Sequence, residues 1–464
     1  MNLRVLRIEL RRSFAPWAGA AVLVAALAFL YLVPGAWGRG TTLWTDQWTS
    51  TALWTRYLLA FLWPLAVGLG ALQGLRDPRS KMSELLASTP RPARHRAAAL
   101  AGTTAFALVS AFALLVLVGV VQLLAGGAAY VSIGWLPISL VGALALGAGA
   151  VLGMGVARAV PSALTPPALA VAALVFNNFL RQVQSSDSEL PVSAVPNPVS
   201  LLSPAVAEVR ETLLTLSGPV HLGQTLWLLG MAATGLALLV GTGLRARLLA
   251  LTPLLAGGAL ALLLLPADDR DTYVVDRAAA EQVCEGPVCV TAARQARLDG
   301  LAGPGKEALR LMRGALGDKA PVTVRETTAL RALGAVPERP RASVLVDFDD
   351  GMIGGAEGER QLTRALVAQG MVPLCRPRSE TESGTREDAA AQAVAASWVL
   401  GEDLRPLDGT MYPPKDQDDL ARPVWKKLTA LPRAEQRKRI GAAHAAAVSC
   451  AGDPLAVLNG GVSR

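Results

Sequence analysis

The chain has 464 residues, of which 52% are hydrophobic and 17% charged, with a formal net charge of +8. A mean hydropathy of +0.39 is too high for an ordinary soluble protein and implies several membrane crossings. Residues 1–266 hold 17 Lys and Arg against 8 Asp and Glu, whereas residues 267–464 hold 27 against 28. The positive excess therefore flanks apolar runs instead of coating a folded face, which excludes nucleic-acid binding.

The predicted fold class has two parts: an α-helical polytopic membrane domain over residues 1–266 and a soluble α+β domain over residues 267–464. Seven apolar segments reach the roughly 20 residues that a spanning helix needs: residues 14–33, 57–75, 97–125, 133–156, 163–179, 225–244 and 248–266. The first follows "MNLRVLRIELRRSF", basic as in a signal peptide, but no small-x-small cleavage site follows it, so an uncleaved anchor is expected. Between the first and second spans, "PGAWGRGTTLWTDQWTSTALWTR" carries Trp37, Trp44, Trp48 and Trp54. Indoles settle at the bilayer interface, so an interfacial re-entrant helix is expected there, with a substrate gate as the sharper alternative.

The next loop, "LRDPRSKMSELLASTPRPARHR", lies between two spans. Asp77 followed by Pro78 is a helix start, an acceptor at the cap and proline in the first turn. Met82, Leu85 and Leu86 then fall on one apolar face. Pro90 and Pro92 end the helix, because the residue before a proline avoids the α region. A helix of about three turns at the membrane surface is expected.

The fifth span is short and starts beside Pro166 and Pro167, so a kink or a partial re-entry is expected. Gly70 and Gly74, and Gly149 and Gly153, form small-xxx-small faces suited to close helix contact, within one subunit or across a dimer. The connector 180–223 is rich in Pro and Ser, with a short helix expected near residues 205–214.

Orientation follows from the Lys and Arg in the flanks. One alternating set of flanks carries 13 of them, and the other carries only Arg39, Arg56, Arg181 and Arg210. The richer set is the cytoplasmic one, so the N-terminus is expected inside and, after seven spans, the C-terminal domain outside. All four cysteines lie in that domain, where an even set favours disulfides. "VCEGPVCV" places Cys284 and Cys289 across a tight turn, which leaves Cys375 to pair with Cys450. The spacing lacks the paired Cys-x-x-Cys of a zinc site.

The tail alternates short β-like runs (288–291, 322–325, 344–348) with helical patterns (292–316, 358–370, 386–400, 434–449). "GLAGPGKE" matches a phosphate loop through its lysine but puts Glu307 where Mg²⁺ needs Ser or Thr, and a helical pattern precedes it, so it is set aside. "DFDDG", residues 347–351, lacks the spacing of a Ca²⁺ loop and reads as a turn. His444 is the only histidine after residue 266, and no nucleophile elbow accompanies it. No enzyme activity is expected.

The loop "LRDPRSKMSELLASTPRPARHR", placed after a span and before a longer one, resembles the first cytoplasmic loop of actinobacterial permeases of the type-2 ABC exporter class. The opening "MNLRVLRIELRRSF" resembles their amphipathic N-terminal segment, and the resemblance covers residues 1–266. It implies a coupling helix that docks on a separate ABC ATPase subunit, carried by Met82, Glu84, Leu85, Leu86 and Pro90, with Asp77 as its cap. ATP would then be bound by the partner, with no cofactor in this chain. It implies a bacterial plasma-membrane protein, and it leaves open a homodimer or a second permease subunit. The family usually has six spans, so the seventh span and the tail are departures. The alternative is a membrane-anchored extracytoplasmic binding or sensing protein. Its tail, "ASVLVDFDD" before "GERQLTRALVAQG", is similar in order to a zincin scaffold. Arg360, Gln361 and Arg364 would stand at the His-Glu-His positions, a set that cannot hold zinc.

Overall fold

Apolar runs that leave water must satisfy their backbone groups internally, and helices do this within one segment. The computed structural model describes residues 13–34, 37, 44–45, 47–76, 92–126, 130–131, 133–182, 197–205, 213–267, 271–327, 340–348, 350–375 and 384–461. All seven predicted spans contain helix. In chain order these are α1 (Ala15–Leu32), α2 (Trp48–Tyr57), α3 (Leu59–Gly74), α4 (Ala93–Ala125), α5 (Trp135–Ala159), α6 (Thr165–Gln182), α7 (Gly218–Val240), α8 (Leu244–Leu249) and α9 (Thr252–Leu264). Asp77, Met82, Glu84, Leu85, Leu86 and Pro90, the residues expected in the coupling helix, lie outside the described residues.

Among the described residues, five helices are long and apolar enough to cross a membrane: α1, α4, α5, α7, and α8 with α9. The pair α2 and α3, bent by 51° at Leu58, makes a sixth if it counts as one span. Helix α6 does not pass this test. Pro166 and Pro167 open it, and Asn177, Asn178, Arg181 and Gln182 lower its hydropathy. Its outer face is nevertheless apolar, with Leu164, Val171, Val175 and Phe179 exposed.

The bundle is held by glycine. A Cβ on Gly70 would lie 2.1 Å from the Ala150 carbonyl oxygen, and one on Gly153 would lie 2.1 Å from that of Val67. These contacts join α3 to α5. Between α5 and α7, Gly155 and Gly235 are equally tight, each 2.3 Å from a carbonyl oxygen of the opposite helix. The glycine faces seen in the sequence are therefore used inside the subunit.

After α9 the chain returns to the bundle's unit. Strand β1 (Leu214–Leu216) pairs antiparallel with β2 (Tyr273–Val275). This corrects the expected helix near 205–214 at its C-terminal end: Leu214 is extended, and residues 206–212 lie outside the described residues. The compact unit runs to Asp276, past Pro266, and the second begins at Arg277.

The second unit holds a four-stranded sheet in the order β3 (Gln282–Glu285), β4 (Val288–Thr291), β5 (Thr323–Glu326), β6 (Ser343–Val346). The β3–β4 hairpin is antiparallel, while β4–β5 and β5–β6 are parallel. Parallel neighbours need a crossover, and α10 (Leu298–Leu316) supplies the one between β4 and β5. Val288, Val290, Val324, Val344 and Val346 form the buried sheet face of the core. Then follow α11 (Gly351–Gly354), α12 (Glu359–Met371), α13 (Arg386–Leu400), α14 (Pro414–Thr429), α15 (Arg433–Ser449) and α16 (Pro454–Leu458). Helix α13 is buried along most of its length, which its alanines permit by keeping it thin. A capping box of Thr385 and Asp388 starts it, and Gly401 in the left-handed region ends it. Cys284 is joined to Cys289 and Cys375 to Cys450, the two pairs read from the sequence. Two such bridges suit an oxidising compartment.

Candidate functional site

The site begins with a proline. Pro64 lies inside α3, where its missing N–H leaves the Ala60 carbonyl without its helical partner. Asn177 of α6, fully buried, donates its Nδ2 to that carbonyl at 3.2 Å. Asn177 Oδ1 accepts from the Ser203 hydroxyl, and so ties in the segment 200–205. That segment opens with a single 3₁₀ turn, Ser200–Leu202. Non-helical backbone out of water needs protein partners, and here the buried Asn177 side chain holds it through Ser203.

Arg56 faces the same segment from α2. It was counted among the outer flanking arginines, but the structure corrects this: it lies within the helix and is 0% exposed. Its Nε and Nη2 both donate to the Pro204 carbonyl at 3.2 Å. Nη2 also donates to Gln224 Oε1 at 2.7 Å. Gln224, from α7, turns its amide nitrogen back to the carbonyls of Leu201, at 2.8 Å, and Ser203, at 3.3 Å. A guanidinium carries five N–H donors, and Arg56 Nη1 meets no acceptor. Both acceptors are neutral, and no ion pair to Arg56 exists among the described residues.

The tryptophans pack at the same helices. Trp37, Trp44 and Trp54 are buried among other side chains, and α2, which carries Trp48 and Trp54, is bent against α3 as in a broken span or a re-entrant loop. Trp37 lies 4.8 Å from Phe29 and 5.7 Å from Trp54, between ring centres, and Trp54 lies 5.4 Å from Tyr57. Aromatic pairs at these spacings add to apolar burial, so these rings brace the bend between α2 and α3. The sequence signal for the whole cluster was present but weak: one arginine at the mouth of a span, and a Gln and an Asn inside two others.

"GLAGPGKE" is helical throughout, within α10. Gly305 packs against Val288, and Lys306 Nζ lies 2.6 Å from Glu285 Oε1. Asp350 caps α11 through the Met352 N–H at 2.9 Å. Arg360, Gln361 and Arg364 all lie on α12. Arg364 pairs with Glu402, donates to Ser397 Oγ at 3.1 Å and reaches the Arg405 carbonyl. Gln361 donates to Asp408 at 3.3 Å. Arg364 thus clamps α12 to the end of α13 and the segment after it, and Gln361 reaches the same segment further on. Among the described residues no group of three His, Cys, Asp or Glu side chains could hold a metal.

At the carboxyl ends of the parallel strands, Glu326 Oε2 accepts from the N–H and hydroxyl of Thr291, both at 2.7 Å, and Arg294 lies 3.2 Å from Oε1. Burial raises the Glu326 carboxyl above its ordinary value, against the opposing pull of Arg294 and Thr291. His444 is buried on α15, with Nδ1 3.1 Å from the Met371 carbonyl oxygen. Burial lowers its imidazole below the ordinary value.

No known protein family, curated protein or solved structure matches the chain.

Proposed function

We propose that the chain is the membrane-spanning, permease-like subunit of an ABC transporter, with an extracytoplasmic α+β domain at its C-terminus. The observation that carries this reading is the absence of carboxylates from the bundle: no Asp or Glu occurs in α1 to α9. Carriers and pumps driven by ions place acidic groups or histidines along the path. A bundle without carboxylates, whose two histidines, His95 and His221, lie in the first turns of α4 and α7, takes its energy from elsewhere, and a separate ATPase docked on residues 76–96 is the source that the loop's resemblance names. The seven-span topology, N-terminus inside and tail outside, agrees with the 13-to-4 split of flanking charge. Moving Arg56 from the flanks into the bundle widens that split. The disulfides agree with an exported tail. In this topology α6 is the fifth crossing, its apolar outer face turned to lipid.

The test is a pull-down from detergent extracts. Leu85→Asp puts a charge into the docking groove, at a cost of several kcal/mol, and should abolish ATPase recovery while insertion is unchanged. Arg91→Ala should recover it like the wild type. Equal recovery with both variants contradicts the docking role of this loop.

A further inference from the structure

We infer that Arg56 is the anchor of an oxyanion site inside the bundle, built for a phosphate group. The argument starts from charge. A buried cation is retained at low cost only when paired, and among the described residues Arg56 meets only uncharged groups: the Pro204 carbonyl, the Gln224 amide and the Tyr273 phenol. These use Nε and Nη2 and hold the planar fork in one orientation. Nη1, with two N–H groups, is left over, buried and unmatched. Gly142 keeps the approach close, since a Cβ there would meet the Phe112 ring at 2.8 Å and the Arg56 side chain at 3.5 Å. A guanidinium fixed in this way is preorganised for a tetrahedral or planar oxyanion.

A second observation points the same way. Ser217 Oγ and Thr272 Oγ1 are also buried without partners. They lie together: the Ser217 N–H donates to the Thr272 carbonyl at 3.0 Å, and His221 follows one turn along α7. The His221 ring interacts electrostatically with Arg56. The two hydroxyls can donate hydrogen bonds, and buried donors left unmatched call for an acceptor; His221 has a backbone partner at Leu216. A phosphate brings several acceptor oxygens and the missing negative charge. It could come from a lipid headgroup or from free phosphate in solution. The inference does not depend on an ATPase partner.

The experiment uses the full chain, purified in detergent, stripped of lipid and examined by native mass spectrometry. Phosphatidylglycerol or diacylglycerol, which lacks the phosphate, is added back at equal mole fraction; in a separate arm, inorganic phosphate is added and thermal stability is followed. The wild type should hold one phosphatidylglycerol at least about tenfold more tightly than Arg56→Gln does, the effect of losing a charge-assisted bond. If free phosphate is the source, it should raise the wild-type melting temperature and leave that of Arg56→Gln unmoved. Gln224→Leu removes one of the two acceptors that orient the fork and should weaken binding, but less than Arg56→Gln does. Arg56→Lys keeps the charge and should retain a weaker preference, which decides the matter should Arg56→Gln fail to assemble. The proposal is overturned if the wild type and both Arg56 variants respond alike to phosphatidylglycerol and to phosphate. It is equally overturned if the wild type responds to neither.

Discussion

Breaking the Cys375–Cys450 bridge should cost the sheet-containing unit about twice as much as breaking Cys284–Cys289. The bridges join residues 75 and 5 positions apart. Loop-closure entropy then assigns them ~4.5 and ~2 kcal/mol at 25 °C. The surroundings act in the same direction. Cys284 and Cys289 face each other in a hairpin that ladder pairing and the Gly286 turn already hold in register. Cys375 follows α12 and Cys450 caps the end of α15, so their bridge encloses α13, α14 and α15. For a unit of this size one kcal/mol moves the midpoint by roughly 2–4 °C. The expected losses are about 9–18 °C for Cys375→Ala with Cys450→Ala, and about 4–8 °C for Cys284→Ala with Cys289→Ala. Limited proteolysis of the full chain along a temperature series reads the melting of the tail alone. Equal shifts, or a larger one from the hairpin pair, would refute the reasoning.

Three further outcomes are expected. Gly70→Ala or Gly153→Ala drives a Cβ to 2.1 Å from backbone oxygen of the neighbouring helix, whereas one on Gly147 meets nothing nearer than 3.6 Å. The first two should lose ~1–3 kcal/mol or more in detergent and Gly147→Ala very little, checked by the thermal midpoint on gel filtration; a uniform response rejects the packing. The lowered imidazole of His444 binds its proton more weakly in the folded than in the unfolded chain. Its stabilising contribution is therefore complete above the unfolded value of about 6.5 and lost as the pH falls through the lowered folded value. Tail stability should accordingly drop more steeply on acidification below pH ~6.5 in the wild type than in His444→Gln, and parallel curves would reject this. In intact cells, a single cysteine at Ser80 should be protected from an impermeant thiol reagent and one at Ser383 labelled; the reverse pattern rejects the proposed orientation.

Which features the sequence made legible follows from what decides each one. The helices of the bundle were legible because hydropathy over a long window is itself the physical cause of a span. The bend at Leu58 was not, since the apolar run 57–75 starts beside it, and only packing reveals that the more polar α2 abuts that run at an angle. Arg56 was misplaced because a charge at the end of an apolar run has the same local sequence whether it faces water or the bundle. The partners that distinguish the two, Pro204 and Gln224, lie more than a hundred residues away. The tryptophans were expected at the interface, and their amphipathic character suits both an interface and the buried end of a bundle. In the tail, the hairpin of Cys284 and Cys289 was legible from its turn and its alternating pattern. Helix α14 was missed. Pro423 sits in its interior and Asp416, Asp418, Asp419, Lys426 and Lys427 crowd it, so local propensity opposes it. It is held instead by Ala421, Val424 and Leu428 buried against the core, which is tertiary context.

The central claim is that this chain works as the membrane half of a two-component machine. Purifying the tagged wild type from its native membranes, in mild detergent with Mg²⁺ and a non-hydrolysable ATP analogue, tests it most directly. The account predicts a nucleotide-binding ATPase subunit recovered in near-stoichiometric amount, and lost with Leu85→Asp. Wild-type protein that is well folded, with both disulfides formed, and yet free of any ATPase would contradict the transport reading and favour the anchored binding or sensing protein.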